Sequence, residues 1–173
     1  QSVEEKLTLV STDCGVGIKQ NSKGNREIWI GAKLHISAVD GDIPITAFYS
    51  GANVHDSSVA LPLMQETSKR VNYLYDLQDA GYDADIIREF STALGHRPII
   101  DINPKNSKEL KVKIEVQKDE QKKFEMLSLV QSSDTHHYNQ RSMVERVNKY
   151  LKEDFGCNTI YYQGATKVAS VLA

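Results

Sequence analysis

The sequence predicts an α/β fold, a mixed sheet flanked by helices. Two runs rich in β-branched and aromatic residues, Ile28 to Val39 and Ile43 to Tyr49, are separated by Asp40-Gly41-Asp42, a strong antiparallel hairpin signal. Beyond them extended and helical segments alternate, and helical crossovers demand parallel neighbours. The order strand, strand, helix, strand, helix, strand therefore calls for both kinds of pairing. With 173 residues, 40% of them hydrophobic, the chain can bury a core without disulfides or metals.

Taken in order, residues 7–13 (Leu-Thr-Leu-Val-Ser-Thr-Asp) suggest a short strand or an entry segment. Gly15, Gly17, Asn21, Ser22, Gly24 and Asn25 then suggest a long polar turn, which lacks the Gly-x-x-x-x-Gly-Lys spacing of a phosphate cradle. After the hairpin, Asp56 or Ser57 should cap a helix to about Arg70, buried through Val59, Leu61, Leu63 and Met64. His55-Asp56 is better explained by that cap than by a metal pair. Residues 71–79 read as a strand ending in carboxylates, followed by a turn at Gly81. A helix from about Ala84 to Leu94 is closed by Gly95, and Pro98 to Ile102 forms another short strand. Residues 105–130, with seven lysines among five acids, suggest a solvated helical excursion. A last helix is expected from about His137 to Asp154, stopping before Gly156, with a final extended piece at Thr159 to Tyr162. There is no internal repeat.

Twenty-one Lys and Arg against 23 Asp and Glu leave a net charge of −2, which argues against a bulk polycation that coats nucleic acid. The charge is uneven, however. Residues 1–104 hold 9 basic and 14 acidic residues (−5), whereas 105–173 hold 12 and 9 (+3). Cys14 and Cys157 have no zinc-ligand or Cys-x-x-Cys spacing and read as free thiols of a reducing compartment. The five histidines likewise show no ligand spacing with cysteine. No stretch of 18 apolar residues or signal-peptide pattern is present, so a cytoplasmic protein without a membrane partner is expected.

The last helix is where polar residues cluster most tightly. At about 100° per residue, Tyr138, Arg141, Glu145, Lys149 and Lys152 share one stripe, opposite Met143, Val147, Tyr150 and Leu151. Such a stripe is ordinarily a solvated face held by ion pairs. A carboxylate among cations on a helix, together with the strand-terminal Asp79, is also the donor set a two-metal site uses. Mg²⁺ takes oxygen ligands, needs only one or two carboxylates per ion and leaves positions open for phosphate and water.

The spacing Tyr138-x-x-Arg141-x-x-x-Glu145-x-x-x-x-x-x-Lys152 resembles, at all four positions, the Y-R-E-K signature of DDE transposases of bacterial insertion sequences. Asp79-Ala80-Gly81-Tyr82 is similar to that family's second acidic motif. The segments Trp29 to His35, Asn53 to Asp56 and Gly95 to Asn103 are similar to its connecting segments. The resemblance covers most of residues 14–170. It implies a ribonuclease H-like fold and a single catalytic domain over 1–173, cut at both ends, with a Lys-rich insertion around 105–130.

The resemblance further implies metal-dependent cleavage and strand transfer of transposon-end DNA. Asp79 and Glu145 would be catalytic ligands of two Mg²⁺ ions, with Mn²⁺ as an alternative. Arg141, Lys149 and Lys152 would contact phosphates, and Tyr138 would stack or hydrogen-bond on a nucleotide. The first acid has two candidates. Asp13 ends the expected first strand, but Cys14 to Gly24 resembles a family segment well downstream of the first Asp, which would place that acid before residue 1. The partners implied are double-stranded DNA, as transposon ends and target, and a second copy as a homodimer on DNA. The alternatives are a ribonuclease H-like nuclease without strand transfer and a catalytically incomplete remnant that only binds DNA.

Overall fold

The structure, a computed structural model, describes residues 3–20, 23–104, 107–128, 133–157, 159, 161 and 164–172. The chain forms two compact units. One comprises the residues up to Tyr73 and those from Ser142 onward; the other is Leu74–Arg141.

In the first unit, β1 (Gly15–Gln20), β2 (Arg26–Val39) and β3 (Ile43–Gly51) form an antiparallel sheet in that order. The hairpin between β2 and β3 is the expected one. Gly41 (φ 84°) and Asp42 (φ 61°) take the left-handed conformations that a tight turn requires and that Gly and Asp tolerate best. The register shifts between Ser37 and Ala38, so that Ile45 is the extra residue of a bulge on β3. Its carbonyl, lost to the ladder, accepts from Arg70 Nη1 at 2.8 Å.

α2 (Asp56–Arg70) packs against β2 and β3. Its buried side is Val59, Ala60, Leu61, Met64 and Thr67, with Leu63 only half-buried. Burying a side chain the size of Val59 contributes about 1.5–3 kcal/mol. The cap differs from expectation. His55 is the N-cap and its Nδ1 accepts from the Ser57 N–H (3.4 Å), because Asp56 is turned to Lys33 Nζ at 3.0 Å.

α1 (Val3–Thr8) packs against α2; of residues 7–13, read as a short strand or an entry segment, the first two end this helix and the rest form an irregular entry into β1. α6 (Ser142–Glu153) lies against β2 and β3 with Val147 buried, and α7 (Ala165–Leu172) buries Val168. Tyr150, expected on the buried side, is 48% exposed. Asn21 and Ser22 of the expected polar turn, and part of the extended piece at Thr159 to Tyr162, lie outside the described residues.

β1 corrects the reading of that turn, and its glycines explain the error. Gly15 and Gly17 are strand residues; Gly17 stands opposite Trp29, and a Cβ there would enter the indole ring. Gly17→Ala should therefore destabilise the protein by about 1–3 kcal/mol in urea unfolding. Gly31→Ala, whose Cβ would meet the Trp29 ring at an ordinary 3.7 Å, should be near neutral.

In the second unit, β4 (Tyr75–Gln78) and β5 (Arg97–Ile100) pair in parallel, joined through α3 (Asp85–Ala93). α3 buries Ile87 and Ser91, one turn apart, and ends as expected with Gly95 at φ 85°. β4 is shorter than the strand expected at 71–79. The basic excursion is α4 (Lys108–Ser128), a helix with no buried residue, and α5 (Ser133–Asn139) packs against β4. Among the described residues no helix is long and apolar enough to cross a membrane.

Candidate active site

Asp79 follows the last rung of the parallel ladder, Gln78 with Ile100, and caps a 3-10 turn at Ala80–Tyr82. Its Oδ1 accepts from the Gly81 N–H at 2.9 Å, and the carboxylate is exposed. Gly81 suits this close approach, since a Cβ there would stand 2.9 Å from the same oxygen. The turn is stitched to the loop leaving β5. Asp83 Oδ1 accepts from Arg88 Nη2 (2.8 Å), its Oδ2 accepts from the Asn103 N–H (2.7 Å), and Asn103 Nδ2 donates to Ala80 O (3.0 Å). Arg88 Nη2 also donates to the Ile100 carbonyl at 3.0 Å, tying the helix to the strand end.

Beneath the turn, Asp76 of β4 is buried. Its Oδ2 accepts from Ser91 Oγ at 2.6 Å and faces His96 Nδ1 at 3.1 Å. The sequence offered no signal for this group: three polar residues at separations of 15 and 20 meet only because α3 and the loop after it bring Ser91 and His96 to β4.

The helix expected over 137–154 is broken. α5 ends at Asn139 and α6 begins at Ser142, with Gln140 and Arg141 in a turn between them. The projection at 100° per residue therefore does not run from Tyr138 through to Lys152. What remains of the stripe is Glu145, Lys149 and Lys152 on α6, spaced at i, i+4 and i+7 and all exposed, with Lys149 ion-paired to Glu153 at 3.7 Å. These three belong to the first unit, whereas Asp79, Tyr138 and Arg141 belong to the second.

Tyr138 and Arg141 are brought together, with the guanidinium carbon 5.5 Å from the ring centroid. Tyr138 OH donates to Asp101 Oδ2 at 3.1 Å, and Lys118 Nζ approaches the same oxygen at 3.2 Å. Burial and the Asp101 carboxylate raise the phenol above its ordinary pKa. On α6, Arg146 makes a two-pronged contact with Asp42 in the hairpin, at 2.7 Å (Nη2) and 2.8 Å (Nε), which holds the Asp42 carboxyl below its ordinary pKa. Neither Asp101 nor Arg146 was singled out by periodicity or motif.

Asp13, a candidate first acid, is not at a strand end; it sits exposed in the loop between α1 and β1. Its carbonyl crowds Gly51, where a Cβ would collide with it. A different constellation, His35 Nε2 to Ser50 Oγ at 2.7 Å and His35 Nδ1 to Asp56 Oδ1 at 3.7 Å, has the residue types of a nucleophilic triad. Ser50 is 0% exposed, so no substrate reaches it and the group is structural.

Burial lowers the His35 pKa below its ordinary 6.5, outweighing the upward pull of Asp56. Below about pH 6.5 the unfolded chain takes up a proton that folded His35 does not hold. Stability should thus fall as the pH drops from that value toward the folded pKa, by at most about 1.4 kcal/mol per pH unit. His35→Gln should flatten that slope in urea unfolding followed from pH 7 to pH 5.

Among the described residues no group of three or more His, Cys, Asp or Glu side chains gathers to hold a metal. Asp79 nonetheless has the chemistry for one, an exposed carboxylate with no Lys or Arg partner among the described residues. Both cysteines are free thiols.

Antiparallel and parallel strands flanked by helices, with an exposed acid leaving a parallel strand, define the class: an α/β protein of ribonuclease H-like type. The model of the transposase DDE domain family matches residues 10–172, and the chain belongs to that family. No curated protein and no solved structure matches it.

Proposed function

We propose that the chain is a DNA transposase of the Y-R-E-K branch of bacterial insertion sequences, cleaving transposon-end DNA and joining it to target DNA. Membership of the transposase DDE domain family supports this, since it implies a DNA substrate. The observation that carries the chemistry is Asp79, an exposed carboxylate presented at the end of β4 by a turn pinned on both sides.

Asp79 and Glu145 are the carboxylates assigned to a divalent metal, two Mg²⁺ ions with Mn²⁺ as a substitute. When bound, such ions lower the pKa of water or of a DNA 3′-hydroxyl and stabilise charge on the leaving oxygen. Arg141, Lys149 and Lys152 neutralise phosphates beside the scissile bond; the exposure of Lys149 and Lys152 on α6 suits that role, and Arg141, half-buried in the turn, is held against the Tyr138 ring. The assembly that acts is a homodimer on double-stranded DNA.

A labelled duplex carrying the element's terminal repeat, incubated with a target plasmid and Mg²⁺, tests this reading. The expected products are nicked ends and target-joined strands. Cleavage without joining would replace the reading by a nuclease of the same fold, and binding without cleavage by an incomplete remnant.

A further inference from the structure

We infer that Asp101 is a positioning residue, which fixes Tyr138 and, through its ring, Arg141 relative to Asp79. The inference rests on the proposed DNA chemistry, but its geometry lies wholly within Leu74–Arg141.

Asp101 is the first residue after β5, and Asp79 is the first after β4. Since the ladder closes on Gln78 and Ile100, the two acids leave adjacent strand ends at the same level. The loops they begin are locked together by Asp83, Arg88 and Asn103, whose bonds of 2.7–3.0 Å leave the two strand ends little freedom to shift. From this fixed point the Asp101 carboxylate reaches Tyr138 OH at 3.1 Å.

Two further contacts hold the helix that carries Tyr138. The His137 ring stacks on Tyr75 of β4 at 4.1 Å, and Asp134 pairs with Arg97 of β5 at 2.8 Å. α5 is thereby anchored to both parallel strands, and the Asp101 bond sets the orientation of the tyrosine at its end. That orientation matters because the Tyr138 ring carries the Arg141 guanidinium, and the turn ties the two residues together, the Arg141 N–H donating to the Tyr138 carbonyl at 3.0 Å. A flat ring held at its hydroxyl is a platform; one released at its hydroxyl is a rotor, and the guanidinium moves with it. A displacement of about 1 Å in a phosphate-contacting group can cost about 100-fold in rate.

The test uses the full chain with tyrosine labelled at Cζ, Tyr138 being assigned by its absence in Tyr138→Phe. Asp101→Asn should lower the pH at which the Tyr138 phenol ionises, because the carboxylate that opposes its negative charge is gone. With terminal-repeat DNA at saturation and Mg²⁺ present, Asp101→Asn should slow single-turnover cleavage about 100-fold while DNA affinity changes no more than about threefold. Tyr138→Phe, which leaves Asp101 charged, should give a similar loss, and the double variant should be no slower than either single one. An unmoved phenol titration, or losses that multiply in the double variant, would overturn the assignment. If the unaltered chain does not cleave DNA at all, the functional reading fails instead, and the titration still decides whether Asp101 governs Tyr138.

Discussion

Asp79→Asn should abolish DNA cleavage while leaving the fold intact. Asparagine keeps an oxygen to accept from the Gly81 N–H, now at 2.9 Å, so the turn after β4 survives and stability should change by less than about 0.5 kcal/mol. What is lost is a negative charge at an exposed position that no cation among the described residues compensates. An amide oxygen is a far weaker ligand for a hard divalent ion than a carboxylate. Metal stabilisation of the transition state is worth several kcal/mol, so the expected loss is on the order of 1,000-fold or more. Cleavage of a terminal-repeat duplex in Mg²⁺ measures it, with urea unfolding as the control. Cleavage at the unaltered rate would remove Asp79 from the site. Asp79→Ala would confound the result, because it also deletes the cap of the 3-10 turn.

The largest stability effect is expected within β4 itself, at Asp76. Its carboxylate accepts from Ser91 Oγ at 2.6 Å and meets His96 Nδ1 at 3.1 Å, and all three side chains are buried. Asp76→Ala removes the buried acceptor of the Ser91 hydroxyl and the carboxylate that faces His96 Nδ1, which costs about 2–4 kcal/mol. Asp76→Asn keeps an acceptor for the Ser91 hydroxyl and should cost less, about 1 kcal/mol. Because the three residues share one network, Ser91→Ala in the Asp76→Ala background should add little. Urea midpoints at constant slope check the series, and a midpoint unmoved by Asp76→Ala would show that the network does not support β4. Since β4 presents Asp79, loss of the network should also lower activity as the temperature approaches the unfolding transition.

Much of the architecture was legible in the chain because it is local. The Asp40-Gly41-Asp42 turn, the α2 run from Asp56 to Arg70 and the closure of α3 at Gly95 each depend on residues within a few positions of one another. The strand-end placement of Asp79 was legible for the same reason, as a short apolar run followed by a Gly turn. β1 was not, because glycine signals a turn when read locally and a close approach when a ring lies opposite; the Trp29 that decides it is twelve residues away. The break at Gln140 and Arg141 was hidden as well. Nothing in those two residues stops a helix; α5 packs on β4 while α6 packs on β2 and β3.

By itself, then, the sequence determined the α/β class, the hairpin, the order of helices and parallel strands, and the acid at the end of β4. These follow from periodicity, turn chemistry and caps, whose energies act over one or two turns of chain. Only the tertiary structure decided which polar groups meet: Asp101 with Tyr138 across 37 residues, Asp42 with Arg146 across 104, and Asp76 with Ser91 and His96. A hydrogen bond between distant residues leaves no period in the chain, because its geometry is set by how the strands and helices pack before the two side chains ever meet.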